Sequence, residues 1–212
     1  MIALIDYGMG NLGSVEKALR AVGCEPVITG DRRVLEEADG LVLPGVGAFD
    51  DCMAGLADER GECLEGLADK GLVGPLKELV ASGKPFLGIC LGLQMLFETS
   101  EEGRRPGLGI FPGRVERFKH SLKIPQIGWN QVWLKQDVPH FAGVPDGSWF
   151  YFVHSYYVVP EDPSIVATTT EYGYEFCSAI WKDNVFACQY HPEKSQEVGL
   201  AVLANFRRLS EG

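Results

Sequence analysis

Three side chains in this sequence could together cut an acyl bond. Cys90 stands in Phe86-Leu87-Gly88-Ile89-Cys90-Leu91-Gly92-Leu93-Gln94, with a glycine two residues away on either side. An apolar run that reaches a glycine-flanked residue and passes straight into a helical pattern is the sequence form of a strand-to-helix elbow. Such an elbow lifts a nucleophile above a parallel sheet. A cysteine there also meets the free amides of a helix N-terminus, which favour thiolate over thiol and can face a developing oxyanion. Near the other end, Val185-Phe186-Ala187-Cys188-Gln189-Tyr190 runs largely apolar and breaks at His191-Pro192-Glu193. An imidazole held at one nitrogen by a carboxylate can take the thiol proton on the other, the arrangement that forms and hydrolyses a thioester. On residue types alone each element has a plainer reading. An isolated cysteine is usually a buried small hydrophobe, and a His-Pro-Glu turn can lie solvated on the surface. Their joint occurrence favours the chemical reading, because such partners meet in space rather than in sequence.

The elements that must position them follow from periodicity. Short apolar runs at 2–6, 26–29, 41–43 and 86–89 alternate with helical stretches at 12–22, 32–38 and 91–99. That is the pattern of βαβ units and a parallel sheet. Beyond Gly113 the strand candidates crowd together, at 115–118, 132–134, 148–159, 165–170, 177–181 and 185–190, before a closing helix at 196–209. The expected fold class is α/β: an open, mostly parallel sheet flanked by helices, with additional antiparallel strands in the C-terminal half, as a single domain over residues 1–212. Ligands of an open α/β sheet bind outside the carboxyl ends of its strands, where Gly8, Gly45 and Cys90 all fall.

The 212 residues are 46% hydrophobic. A chain of this length can bury roughly 70% of its unfolded surface around one core. A net charge of −10 opposes binding to a nucleic-acid backbone, which wants a basic footprint. One stretch is locally basic, with Arg104, Arg105, Arg114, Arg117, Lys119 and Lys123. A solvated strand face is its simplest role, a docking edge the alternative. No apolar run approaches the roughly 20 residues of a membrane span, and no basic leader precedes the first strand, so a cytoplasmic enzyme without membrane contact is expected. The cysteines at 24, 52, 63, 90, 177 and 188 show no Cys-x-x-Cys spacing and are expected as thiols. Cys188 and His191 have no second close pair to complete a metal site, with His120, His140 and His154 scattered, so neither metal nor cofactor is expected.

Gly88-Ile89-Cys90-Leu91-Gly92 with Gln94, followed by His191-Pro192-Glu193, resembles the class I (triad) glutamine amidotransferases. The likeness runs over nearly the whole chain. It implies a flavodoxin-like fold and hydrolysis of the glutamine carboxamide, with the ammonia passed on. Tyr7-Gly8-Met9-Gly10-Asn11, Pro44-Gly45-Val46-Gly47-Ala48-Phe49 and Gly128-Trp129-Asn130 narrow it to the branch formed by glutaminase subunits of imidazole glycerol phosphate synthases. The resemblance implies Cys90 as nucleophile, His191 as acid and base, and Glu193 as its orienting carboxylate. It implies the amides of Val46 and Leu91 as oxyanion donors, with the Val46 peptide reorienting in response to a partner. Gly45 and Gly47 make such a movement sterically cheap. Glutamine would be held by Gly45, Gly47, Gln94, Ser155 and Tyr156, while His154 reads as a structural histidine. The implied partner is a (β/α)8-barrel cyclase in a heterodimer serving histidine biosynthesis, met through Asn11, Trp129, Asn130, Tyr151 and Lys194. Two alternatives stay open: the glutaminase of another pathway, such as pyridoxal phosphate synthesis, and a non-catalytic regulatory module on the same scaffold. Pro44-Gly45-Val46-Gly47 speaks against the first, whose members tend to carry a Gly-Gly pair there. The intact triad speaks against the second.

Cys52-Met53-Ala54-Gly55-Leu56-Ala57-Asp58-Glu59-Arg60 is nearly repeated at Cys63-Leu64-Glu65-Gly66-Leu67-Ala68-Asp69-Lys70-Gly71. An offset of eleven residues is close to three helical turns, so a duplication would lengthen a helix by roughly 16 Å with its apolar face nearly in phase. A tolerated surface insertion is the simple reading, an added partner or oligomer contact the sharper one.

Overall fold

The structure, a computed structural model, describes residues 1–57 and 71–212. Its strands in chain order are β1 (Ile2–Ile5), β2 (Val27–Thr29), β3 (Gly40–Gly45), β4 (Phe86–Cys90), β5 (Thr99–Ser100), β6 (Gly113–Arg117), β7 (Gln126–Leu134), β8 (Ser148–His154), β9 (Tyr156–Pro160), β10 (Val166–Glu171), β11 (Glu175–Lys182) and β12 (Val185–Cys188). The helices are α1 (Leu12–Ala21), α2 (Arg32–Glu37), α3 (Phe49–Leu56), α4 (Val73–Ala81), α5 (Leu91–Gln94) and α6 (Gln196–Glu211).

The strands join into one sheet in the order β2-β1-β3-β4-β12-β11-β10-β7-β8, with β9 also on β11 and leading through β6 to β5. From β2 to β12 every pairing is parallel. Beyond β12 the same path runs antiparallel. The mixed sheet is the expected one, with its seam between β12 and β11, because the last strand of the chain returns to lie beside β4. The parallel part is covered on both faces, which is why its strands read as unbroken apolar runs. Ile2 and Leu4 pack with Val15 and Leu19 of α1 and Val202 and Phe206 of α6. Ala3 and Ile5 face the other way, toward Leu35, Leu56 and Leu76 of α2, α3 and α4. Side-chain alternation along a strand makes this division. α1 starts where Asn11 Oδ1 accepts from the Ser14 amide at 3.3 Å, and α2 where Asp31 accepts from Arg33 at 2.9 Å.

Two expected elements are corrected. The helix expected over 91–99 stops at Gln94. A helix to 99 would bond the Glu98 amide to Gln94 and the Met95 carbonyl to Thr99, but Glu98 donates to Gly113 at 3.2 Å, and the carbonyls of Met95, Leu96 and Phe97 accept from the amides of Leu108, Ile110 and Gly109 at 2.7, 2.8 and 3.2 Å. All three side chains are fully buried, so this segment has no solvent face to offer a surface helix. The single run expected over 148–159 is two strands parted at Ser155, β8 on β7 and β9 on β6 and β11. That parting delivers Ser155 to the crevice at the end of β4. The first copy of the near-repeat begins inside α3, while residues 58–70, with Cys63 and most of the second copy, lie outside the described residues. No helix among the described residues is long and apolar enough to cross a membrane.

Candidate active site

Cys90 ends β4 with φ 57° and ψ −110°. A non-glycine residue in such backbone stores strain, and it persists only where its surroundings impose it. The unusual torsion is carried by the cysteine itself, since Gly45, Gly88 and Gly92 are not among the residues of positive φ. The glycines serve close approach. A Cβ on Gly92 would overlap the Leu43 carbonyl oxygen. One on Gly88 would lie 2.8 Å from the Gly92 oxygen and 2.9 Å from Ala187 Cβ, and one on Gly45 2.5 Å from Leu91 Cβ. β3, β4 and α5 therefore touch backbone to backbone, and Gly45 pairs with Cys90 in the ladder. α5 is only 4 residues long, too short for a macrodipole, and the Cys90 side chain makes no cap hydrogen bond to its first turn.

His191 follows β12, the strand beside β4, and its Nδ1 lies 2.8 Å from Glu193 Oε1. Their side chains are 3% and 1% exposed. Burial works against a charge on this imidazole, but the Cys90 sulfur and the Glu193 carboxylate together outweigh it and raise His191 to about 10. At neutral pH the ring therefore holds its second proton. Its Nε2 is buried without a well-formed hydrogen bond, although Cys90 is the strongest favourable influence on it. Apposed but imperfectly aligned groups are usual before substrate arrives.

Val46, Gly47, Cys90, Leu91, Gln94, Ser155, Tyr156 and His191 line one cavity of about 290 Å³, together with Glu102, Pro125, Val153 and His154. Such a volume suits a metabolite the size of an amino acid. Gln94 is buried and donates through Nε2 to the Tyr156 carbonyl at 3.1 Å and to Gln189 Oε1 at 3.0 Å. His154 lies 2.7 Å from that same carbonyl through Nδ1 and 2.9 Å from the Gln126 side-chain amide through Nε2. Complete burial holds His154 down at about 4, neutral at physiological pH, as befits a structural histidine. Two polar residues at the site were not anticipated. Glu102 reaches the cavity and accepts from the Phe49 amide at 3.1 Å. Gln189 is fully buried, with Nε2 3.6 Å from Cys90 Sγ. A glutamine inside an apolar run, two residues before His191 and so on the same side of the chain, was the available signal.

Residues 3–208 match the family described as glutamine amidotransferase class-I. This chain belongs to that family. Among curated relatives, it is 53% identical to the imidazole glycerol phosphate synthase subunit HisH of Syntrophotalea carbinolica, over 97% of this chain and 98% of that protein. It is likewise 53% identical to the subunit of the same name from Aquifex aeolicus, over 98% and 96%. Among solved structures, the fold is similar to that of a glutamine amidotransferase covering 100% of both chains, at TM-score 0.75 and 17% identity. A second, from Thermotoga maritima, has TM-score 0.71 and 18% identity over 100% of this chain and 98% of that one.

In this amidotransferase the Tyr7 to Asn11 loop props the segment that carries Val46. Tyr7 donates its hydroxyl to the Pro44 carbonyl at 2.8 Å, and a Cβ on Gly10 would lie 3.2 Å from Pro44 Cγ. The Val46 carbonyl accepts from the Cys52 thiol at 3.6 Å, and Gly47 beyond it has φ 104°. Asn11 is exposed and caps α1. Trp129 and Tyr151 pair across β7 and β8 with ring centroids 6.0 Å apart, and Lys194 Nζ stands 5.9 Å over the Tyr151 ring. Ile127, Trp149 and Trp129 are 58%, 54% and 40% exposed on this face. Asn130 turns to the opposite face, where Nδ2 donates to the Glu171 carbonyl at 3.2 Å. In the basic stretch, Arg114 pairs with Glu116 and Lys119 with Glu101 at the surface.

Proposed function

We propose that the chain is the glutaminase subunit of an imidazole glycerol phosphate synthase, hydrolysing L-glutamine and handing the ammonia to a cyclase subunit in histidine biosynthesis. The supporting observation is the buried 2.8 Å contact of His191 with Glu193, beside the cavity that Cys90 and Leu91 line. The Cys90 sulfur attacks the side-chain carbonyl carbon of glutamine, and the oxygen becomes an oxyanion. The amides of Leu91 and Val46 are its donors in this reading, and losing one such donor commonly costs about 2.7 to 4 kcal/mol. His191, already protonated, gives its proton to the nitrogen as the carbon–nitrogen bond breaks. Ammonia leaves and a thioester remains. The now neutral imidazole takes a proton from water as the water oxygen attacks the thioester. Glutamate is released, and sulfur departs as the thiolate that faces the imidazolium.

Substrate recognition follows from the hydrogen-bond arithmetic. Both amide hydrogens of Gln94 are taken by Tyr156 and Gln189, so Oε1 is what it offers, an acceptor for the α-ammonium of glutamine. Burial raises the Glu102 carboxyl above its ordinary range, and an arriving ammonium offsets that cost. The backbone at Ser155 and Tyr156, with Gly45 and Gly47 across the crevice, completes the grip on the substrate.

Ammonia released into water would be lost as ammonium, so the product is useful only in a dry passage to a partner. A (β/α)8-barrel cyclase seated on Trp129, Tyr151, Lys194 and Asn11, with Asn130 anchoring β7 behind them, makes the cytoplasmic heterodimer of this reading. Ammonia release from glutamine, measured with the chain alone and with the cyclase and its nucleotide substrate, tests it. Low activity alone, strong stimulation in the complex and none after Cys90→Ala is the expected pattern. High activity indifferent to the cyclase would point to another pathway, and activity surviving Cys90→Ala would overturn the triad.

A further inference from the structure

The orientation of one buried amide can be worked out from its neighbours. The Tyr156 carbonyl oxygen can only accept, so the Gln94 atom 3.1 Å from it must be nitrogen. The second hydrogen of that nitrogen points at Gln189, 3.0 Å away, which must present oxygen. The Gln189 amide then has one heavy atom left, Nε2, and this lies 3.6 Å from Cys90 Sγ. A main-chain carbonyl thus dictates, through two carboxamides in series, that a donor and not an acceptor faces the sulfur.

We propose that Gln189 is a further catalytic residue for glutamine hydrolysis, donating a hydrogen bond to the Cys90 sulfur and, through the same amide, holding Gln94 toward the substrate. The proposal rests on the reading of Cys90 as nucleophile. A thiol is a weak acceptor and a thiolate a strong one, so a fixed N–H beside the sulfur favours the charged form. The site needs this twice: before attack, and when sulfur must leave the thioester as an anion. His191 gives its proton away during the cycle. Gln189 keeps its hydrogen throughout, and its complete burial leaves that hydrogen no water to bond instead. The other titratable groups around the sulfur are His191 and Glu193 beyond β12 and Cys188 within it, with Glu102 across the cavity and His154 behind His191. His191 and Cys188 both feel the charge on Cys90, so they respond to Gln189 through the sulfur itself.

The test is the pH dependence of Cys90 alkylation by iodoacetamide, read from the mass of the Cys90 peptide, in the full chain and in Gln189→Leu, Gln189→Met and Gln189→Glu. Loss of one hydrogen bond to a charged acceptor is expected to move the midpoint up by about one pH unit in the Leu and Met variants. It should move further in the Glu variant, which puts a negative charge where the donor was. Each variant is also melted thermally, and Gln189→Met, closest in shape, carries the test if Gln189→Leu does not fold. An unmoved midpoint in the neutral variants overturns the proposal, as does a Gln189→Glu midpoint at or below that of the wild type. Glutaminase activity surviving Cys90→Ala overturns the nucleophile reading and this proposal with it. An unmoved midpoint with activity abolished in Cys90→Ala overturns the role of Gln189 alone.

Discussion

Gly45→Ala places the first strain at the meeting of three elements. The added Cβ would stand 2.5 Å from Leu91 Cβ, 2.9 Å from the Gly92 amide nitrogen and 3.0 Å from the Leu91 carbonyl carbon, where ordinary contact begins at 3.4 Å. Relief therefore needs a separation of nearly 1 Å, and two of the three obstacles are backbone atoms that no rotamer change can clear. β3 is pinned between β1 and β4, so α5 is the element that yields, taking the Leu91 amide and the Cys90 sulfur with it. A misplacement of about 1 Å in a reacting group can cost about 10²-fold in rate, while overpacking of this kind costs about 1–3 kcal/mol in stability. The expected result is a folded protein, moderately destabilised in urea, whose kcat/KM for glutamine in the cyclase complex falls about a hundredfold. Wild-type kcat/KM together with wild-type stability would refute the contact argument, because the methyl would then have found room that the geometry denies it. Gly13→Ala supplies the contrast. Gly13 lies in the first turn of α1 with open space around its would-be Cβ, and the substitution should stabilise by about 0.5–1 kcal/mol.

Tyr7→Phe strips the Pro44 carbonyl of its buried donor and should cost about 1 kcal/mol in urea denaturation; an unchanged midpoint would mean that another donor replaces it. Glu193→Gln acts on pH dependence. His191 is raised from 6.5 to about 10 in the folded chain, so its stabilisation is complete below pH 6.5 and is lost as pH climbs toward 10. Denaturation across that window should show wild-type stability falling with pH and Glu193→Gln falling less steeply; parallel curves would contradict the assignment. Trp129→Ala should weaken binding to the cyclase by about 2 kcal/mol, the scale of an interface anchor, with melting of the isolated chain little changed. Titration calorimetry measures the first and a thermal melt the second, and undiminished affinity would move the interface elsewhere.

What could be read from the residues was what is locally over-determined. Gly45, Gly88 and Gly92 leave a visible pattern because backbones in contact tolerate no side chain, and His191-Pro192-Glu193 because two chemically linked residues stand two apart. The apolar runs of β1, β3, β4 and β12 were legible because a sheet covered on both faces requires them. Features resting on distant contacts were not. The helix expected over 91–99 loses its later turns to amides of the 107–111 loop, a competition that no window of sequence contains. Glu102 reaches the cavity by binding Phe49 across 53 positions, and Gln189 faces its partner Gln94 across 95. The strand break at Ser155 reflects the differing neighbours of β8 and β9 rather than any breaker residue.

β12 is an interior strand, held between β4 and β11, although it comes last in chain order among the described strands. Gln189, just past its end, is 99 residues from Cys90. During synthesis, therefore, the cysteine emerges long before Gln189 and His191, and the slot beside β4 stays open until β12 has been made. Glutamine turnover that uses both segments must therefore wait until β12 has taken its place in the sheet.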